Sequence, residues 1–154
     1  MRRAGPSTAA SLAERGFGVH SIASDGDRPR YGWHLVLDIE NCDRQIIDCR
    51  PLIYAWLRGI EGGEIGLVKR IGMVAHGEPV IESFAHDDPV TAGFTAVQLI
   101  ETSSITAHFS PHLRTAHIDV FSCRAFDPVV ALDFTLGVFG TAESTGHATF
   151  LPRG

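Results

Sequence analysis

The sequence lacks any apolar run that approaches the roughly 18 to 20 residues needed to cross a membrane as a helix. Its N-terminus also lacks the apolar core of a signal peptide. These two absences predict a protein that neither spans a membrane nor enters the secretory route, so we expect it in the cytoplasm.

Cysteine is scarce: Cys42, Cys49 and Cys123 are the three cysteines of the chain. They cannot all pair with one another, and their spacing matches neither a zinc ribbon nor a Cys-x-x-Cys redox motif. No His, Cys or Glu triplet has a familiar zinc spacing either. We therefore expect reduced thiols and no metal site.

Positive charge is also in deficit, because 13 Lys and Arg stand against 18 Asp and Glu, for a net charge of −5. This balance argues against a nucleic-acid partner. With 154 residues, 44% of them hydrophobic, the chain fits one domain with a single core. Residues 1–30 are rich in Gly, Ala, Ser and Arg, which predicts a flexible N-terminal extension with a short helix near residues 8–14, before a domain over 31–154.

Hydrophobic periodicity from residue 31 onward predicts strand, helix, several strands, helix and strand. One helix follows Pro51 and ends at Gly62-Gly63, and a second begins at Asp127-Pro128 and runs to Phe139. This order predicts an α+β fold, a two-layer sandwich with helices on one face of a mostly antiparallel sheet. The predicted strands are Trp33–Ile39, Leu67–Ala75, Val80–Phe84, Phe94–Ile100, Ser104–Phe109, Thr115–Cys123 and Gly146–Leu151.

A Ser/Thr-rich segment carries the most informative motif of the chain. Ser103 lies in the run Glu-Thr-Ser-Ser-Ile-Thr-Ala-His, His108 follows it by five residues, and Cys123 ends the next predicted strand. A hydroxyl nucleophile, an imidazole that exchanges protons near neutral pH and a thiol proton donor are the groups that a self-processing enzyme needs.

This arrangement resembles the bacterial and archaeal S-adenosylmethionine decarboxylases. Their processing motif reads Glu-Ser-His-(Ile/Leu)-(Ser/Thr)-Ile-His, and a strand that ends in Asp-Val-Phe-(Ser/Thr)-Cys follows it. Aligning the last His with His108 places the cleaved Ser at Ser103 and the Cys at Cys123 without a gap. Upstream, Gly32–Asp43 is similar to the opening strand and Cys-Asp turn of the family.

The resemblance implies that the chain cuts itself between Thr102 and Ser103 and converts Ser103 into a pyruvoyl group. That group would act as the electron sink for decarboxylation of S-adenosylmethionine in spermidine synthesis, within a homodimer. It further implies that His108 assists processing and that Cys123 protonates the product. Thr95 stands where the family has a Ser that helps processing.

Two departures from the family pattern leave alternatives open. Thr102 replaces the Glu before the cleaved Ser, and Glu101 is the nearest acid that could substitute for it. Phe109-Ser110-Pro111-His112 replaces Thr-Trp-Pro-Glu, which the family places beside the nucleoside. The alternatives are a pyruvoyl-dependent arginine or ornithine decarboxylase and an unprocessed ligand-binding or regulatory relative. If S-adenosylmethionine is the substrate, its expected contacts are Phe94, Phe109, His112 and Glu82.

Overall fold

A computed structural model of the chain describes residues 9–21 and 30–154. Five helices and seven strands lie within these ranges. The helices are α1 Ala9–Glu14, α2 Arg44–Ile47, α3 Arg50–Arg58, α4 Leu67–Arg70 and α5 Pro128–Phe139. The strands are β1 Phe17–Ser21, β2 Gly32–Glu40, β3 Val80–Phe84, β4 Gly93–Ile100, β5 Ser103–Ser110, β6 Thr115–Ser122 and β7 Thr145–Arg153.

The strands form one sheet in the order β1-β7-β2-β6-β5-β4-β3. Every neighbouring pair is antiparallel except β1 and β7, which are parallel. Strands β4, β5 and β6 are consecutive in the chain and adjacent in the sheet, as short antiparallel connections favour. The predicted α+β fold with a mostly antiparallel sheet is confirmed.

One face of the sheet carries the hydrophobic core. Alternate residues of the central strands are buried there, among them Leu35, Ile105 and Val120. The helices cover this face with residues such as Trp56 of α3 and Leu132 of α5, which belong to the same core. The α3 helix begins with Pro51 in its first turn, and Asp127 caps α5 by accepting from the backbone N–H of Val129.

The opposite side of the sheet, which we call the open face, has no helix packed on it in the described chain. A row of directly paired residues crosses it from β3 to β7 and is polar throughout. In the next row, Val36 of β2 pairs with Asp119 of β6, which in turn pairs with Thr106 of β5. The polar row consists of Glu82, Thr95, His108, His117, Asp38 and His147.

Four segments differ from the sequence-based expectation. The helix expected to end at Gly62-Gly63 is α3 and ends at Arg58, and the short helix α2 was not expected. Leu67–Ala75 is expected as a strand, but residues 67–70 form α4, in which Leu67 and Val68 are buried. The sequence did not indicate this helix because a single turn is too short to show a helical period. The extension expected before residue 31 contains α1, near its predicted position, and β1, which pairs with β7. Leu12 and Phe17 are buried in the core, so residues 9–21 pack with the domain; the rest of that extension lies outside the described residues.

Within the described ranges, no helix is both long enough and apolar enough to cross a membrane.

Candidate functional site

The peptide bond between Thr102 and Ser103 lies at the tip of the β4–β5 hairpin. Ile100 pairs with Ser103, so Glu101 and Thr102 form the two-residue turn between the strands. Two-residue hairpin turns favour residues with positive φ, which Glu and Thr rarely adopt. The turn therefore places an unusual backbone demand on the bond at which the resemblance implies cleavage.

Ser103 meets that demand. Its φ is 147°, in the region that normally requires glycine, whereas Glu101 and Thr102 keep negative φ. Such a conformation costs about 1–3 kcal/mol in a residue with a Cβ and persists only where surrounding contacts enforce it. The strained torsion is the N–Cα bond of Ser103, directly beside the Thr102–Ser103 peptide bond.

The carbonyl oxygen of Thr102 is held by two donors from Cys123. The Cys123 backbone N–H donates to it at 3.0 Å, and the Cys123 thiol lies 3.3 Å from it. Cys123 is exposed and follows directly on β6. Two donors on one carbonyl oxygen stabilise negative charge that develops there when a nucleophile attacks the carbonyl carbon.

His108 does not join this cluster. It lies five residues along β5 from Ser103, a separation of about 16 Å in an extended strand, far beyond hydrogen-bonding reach. Instead, its Nδ1 contacts the hydroxyl of Thr95 at 2.8 Å, and its Nε2 contacts the carbonyl of Thr91 at 3.1 Å. Because a carbonyl only accepts, Nε2 carries a proton, and in the neutral ring Nδ1 accepts from Thr95.

Glu101 faces away from both groups. Its carboxylate is exposed and contacts Nδ1 of His76 at 2.9 Å. Its backbone N–H donates to the carbonyl of Val74 at 2.9 Å, which ties the turn to the segment that follows α4. Glu101 thus anchors the turn from outside.

Two residues expected to contact a substrate belong to the core instead. Phe109 is 0% exposed and packs against Trp56 and Phe139, with ring centroids 6.1 and 4.9 Å away. Phe94 is half-buried and packs against the same core. Strand alternation places both on the helix side of the sheet, away from the open face that carries His108.

His112 lies two residues beyond the end of β5 that is opposite to Ser103. It lines an open cavity of about 280 Å³ together with Arg44, Asp48 and His86. Glu82, by contrast, is exposed on β3 directly opposite Thr95, beside the Thr95–His108 pair. Of the expected substrate contacts, Glu82 is therefore the one that the sheet brings next to a candidate catalytic group.

Ser122 and Met73 are site residues that the sequence motif did not reveal. The hydroxyl of Ser122 lies 2.8 Å from that of Thr102, which in turn lies 3.2 Å from the sulfur of Met73. Ser122 directly precedes Cys123, so its position beside Thr102 follows once β5 and β6 are paired. Met73 lies in an irregular segment after α4, and no sequence signal connects it to Thr102.

The thiols of the chain differ in environment. Burial raises the pKa of the Cys42 thiol from an ordinary 9.0 to about 12, and the nearby Arg114 charge opposes this rise more weakly. Cys123 is exposed, which suits a group that meets a ligand. In residues 9–21 and 30–154, no three His, Cys, Asp or Glu side chains converge as metal ligands would.

Comparison with known proteins assigns the family. The sequence profile described as S-adenosylmethionine decarboxylase matches residues 33–153, which is most of the chain. The chain belongs to the S-adenosylmethionine decarboxylase family. A curated relative, the S-adenosylmethionine decarboxylase proenzyme of Geobacillus kaustophilus (strain HTA426), is 36% identical over 62 residues. That match spans 40% of this chain and about half of the relative, 48% of its length.

A solved structure supports the fold independently. The adenosylmethionine decarboxylase of Aquifex aeolicus VF5 superposes with a TM-score of 0.62, over 82% of this chain and 93% of that chain, at 24% identity. The matched profile includes the β4–β5 hairpin, Cys123 and the whole sheet except β1. The matched range therefore contains Ser103, His108 and Cys123.

Proposed function

We propose that this chain is a pyruvoyl-dependent decarboxylase that acts on S-adenosylmethionine, in spermidine synthesis, after cutting itself between Thr102 and Ser103. The observation that carries the proposal is the strained Ser103, which directly follows a carbonyl held by both donors of Cys123. Family membership and the proenzyme name of the Geobacillus relative support it. Three unpaired cysteines suit the reducing cytoplasm as its compartment.

Self-cleavage requires one nucleophile, one oxyanion site and one proton carrier. The Ser103 hydroxyl attacks the Thr102 carbonyl carbon, the amide C–N bond breaks, and an ester replaces it. The Cys123 donors stabilise the charge on the Thr102 oxygen during this shift. Loss of the Ser103 α-proton then breaks the Cβ–Oγ bond and releases residues 1–102 as a carboxylate. Water completes the conversion of residue 103 and ammonia leaves.

A pyruvoyl group at position 103 supplies an electron sink for decarboxylation of a substrate amine. The residues of this chain fit such a group, because position 103 lies at an accessible hairpin tip beside an exposed thiol. Cys123 is the proton donor to the product carbon after carbon dioxide leaves. Its thiol lies 3.3 Å from the carbonyl that precedes residue 103, so it is in place before cleavage.

We further propose that the active enzyme is a homodimer in which His108 of one chain serves Ser103 of the other. Within one chain the two residues are about 16 Å apart, because both lie on the same extended strand. The Thr95–His108 pair lies on the open face of the sheet, which the described helices leave uncovered. A twofold-symmetric dimer in which the β4–β5 turn of each chain meets the open face of the other supplies two complete sites from two such half-sites.

The substrate contacts have to come from the open face. Phe94 and Phe109 lie on the helix side, so we propose Phe121 as the aromatic contact, two residues before Cys123 on β6. Phe121 is half-buried, and the guanidinium of Arg153 lies 5.5 Å from its ring centroid. Glu82, beside Thr95, is the proposed acid for a ribose or for the positive sulfonium.

Intact mass of the purified protein tests the proposal. We expect two fragments, one ending at Thr102 and one beginning with a pyruvoyl group that blocks Edman sequencing, and a Ser103→Ala variant that stays intact. Release of carbon dioxide should then be measured with S-adenosylmethionine, arginine, ornithine and lysine in parallel. Carbon dioxide release from a basic amino acid alone would overturn S-adenosylmethionine as the substrate. A wild-type chain that stays uncut after long incubation would favour the alternative of an unprocessed ligand-binding relative.

A further inference from the structure

The side chain of Thr102 belongs to a chain of hydrogen bonds that runs behind the scissile bond. The backbone N–H of Arg124 donates to the Ser122 hydroxyl at 3.0 Å. The Ser122 hydroxyl donates to the Thr102 hydroxyl at 2.8 Å, and the Thr102 hydroxyl donates to the sulfur of Met73 at 3.2 Å. Two residues from different parts of the fold, Ser122 and Met73, therefore contact the side chain of the residue before the cleavage point.

The direction of this chain follows from its two ends. A backbone N–H only donates, and a thioether sulfur only accepts. The Ser122 hydroxyl also lies 3.5 Å from the Met73 sulfur, a longer contact than its 2.8 Å to the Thr102 hydroxyl. Each hydroxyl has one proton, so we assign the Ser122 proton to the shorter contact, and Thr102 donates toward Met73. The Thr102 hydroxyl thus has both its proton and an acceptor site engaged.

Both anchors of the chain are rigid. Ser122 is 0% exposed at the end of β6, where it pairs with Ser103. Met73 is 5% exposed, and its backbone N–H donates to the carbonyl of Val68 at 2.9 Å. The following segment is bonded to β4, because the N–H of His76 donates to the carbonyl of Leu99 at 2.8 Å. Neither anchor moves without breaking backbone hydrogen bonds.

We propose that Ser122 and Met73 are positioning residues for self-cleavage, which act by fixing the Thr102 side chain so that its carbonyl oxygen faces the two Cys123 donors. This inference rests on the proposed function. The carbonyl of Thr102 and its side chain share one Cα, so holding the hydroxyl between two buried partners limits rotation of the peptide plane.

A double-mutant cycle on the cleavage rate tests the proposal. Thr102→Val removes the hydroxyl and keeps the shape, and Ser122→Ala removes its donor. Each change is expected to slow cleavage about tenfold, the kinetic equivalent of one hydrogen bond. The double variant should be no slower than the slower single variant, because both changes break the same contact. Rate losses that multiply in the double variant, or unchanged rates in both single variants, would overturn the proposal.

Two matched variants separate positioning from stability. Thr102→Ser keeps the hydroxyl and should cleave within about twofold of the wild type, while Met73→Leu keeps the volume but removes the acceptor and should slow cleavage about threefold. Thermal unfolding of all variants provides the control. If the rates follow the midpoint of unfolding instead of the presence of the hydroxyl, Ser122 and Met73 have no positioning role.

A second readout is independent of cleavage. In a Ser103→Ala background, which leaves the chain uncut, the Cys123 thiol still lies against the Thr102 carbonyl. Adding Thr102→Val or Ser122→Ala should free this thiol and raise its alkylation rate by iodoacetamide, read by mass spectrometry of the peptide that carries Cys123. Faster alkylation with an uncut wild-type chain would refute the proposed function but keep the positioning. Equal alkylation rates in all backgrounds would refute the positioning itself.

Discussion

Two clusters of candidate catalytic groups on the same sheet differ in what they lack. At the β4–β5 turn, Ser103 is strained and the Thr102 carbonyl has both Cys123 donors, but His108 lies about 16 Å away along the strand. In the middle of β5, His108 has both ring nitrogens bonded, one to the Thr95 hydroxyl, but it is remote from Ser103. In the proposed function, the first cluster holds the Thr102–Ser103 bond that breaks, and the second supplies the group that transfers protons.

This difference shows how one strand distributes two roles. A turn concentrates backbone strain at its tip, whereas the middle of a strand holds a side chain in a fixed register between its neighbours. The strained Ser103 and the fixed His108 lie five residues apart on one extended strand, so the two side chains cannot contact each other within one chain. In the proposed homodimer, a second copy of the chain brings them together.

The largest expected effect comes from mixing two inactive chains. We expect Ser103→Ala and His108→Ala to show little or no cleavage alone, and the His108→Ala chain to be cut once the two are coexpressed. In the mixed dimer, the intact Ser103 of one chain meets the intact His108 of the other. Intact mass distinguishes the two chains.

The matched control is a chain that carries Ser103→Ala and His108→Ala together. Coexpressed with His108→Ala, it should give no rescue, because neither chain then supplies an imidazole. Rescue by this double variant, or none by Ser103→Ala, would mean that His108 acts within its own chain or not at all.

The next largest effect concerns Cys123. Cys123→Ala removes the thiol but keeps the backbone N–H on the Thr102 carbonyl, so the chain should still cleave, more slowly. Turnover by the cleaved enzyme should fall about 10²–10⁴-fold, the usual contribution of general acid catalysis. Carbon dioxide release per mole of cleaved chain measures this. Near-normal turnover would leave Cys123 without a role in proton donation.

A smaller effect is expected at Thr95, which belongs to the second cluster. Thr95→Val removes the hydroxyl from Nδ1 of His108 and should slow cleavage about tenfold, while Thr95→Ser keeps the contact and should cleave near the wild-type rate. The half-time of cleavage, followed by intact mass, is the measurement. Equal half-times for the Val and Ser variants would show that this hydrogen bond does not orient the imidazole for processing.

The smallest effect contrasts the buried thiol with the exposed one. Cys42 has a folded-state pKa of about 12 against an ordinary 9.0, so above pH 9 the unfolded chain loses this proton while the folded chain keeps it. The contribution of the protonated Cys42 thiol to stability is complete below pH 9. Between pH 9 and pH 12, the free energy of unfolding falls by at most about 1.4 kcal/mol per pH unit. Urea unfolding at pH 8 to 11 should show that the free energy of unfolding falls less steeply with pH for Cys42→Ala than for the wild type. Equal slopes would contradict the assignment.

Much of the fold was predictable because the relevant signals are local. Pro51, the Asp127-Pro128 pair and the alternation of β3 to β7 indicated both long helices and the strands close to their observed bounds. The α4 helix was not predictable, because one turn carries no periodicity. The place of residues 9–21 was missed for a different reason, since Leu12 and Phe17 become core residues only through the pairing of β1 with β7.

The sequence by itself determined the family, through the spacing of Ser103, His108 and Cys123 and the strands around them. Tertiary structure alone decided which of these groups meet. The pairing of β5 with β6 brings Cys123 next to Thr102, and the pairing of β4 with β5 places His108 directly opposite Thr95. Packing of the segment after α4 brings Met73 to Thr102 across 29 residues. Such contacts depend on strand register and on core packing, and the spacing of residues in a motif determines neither of them.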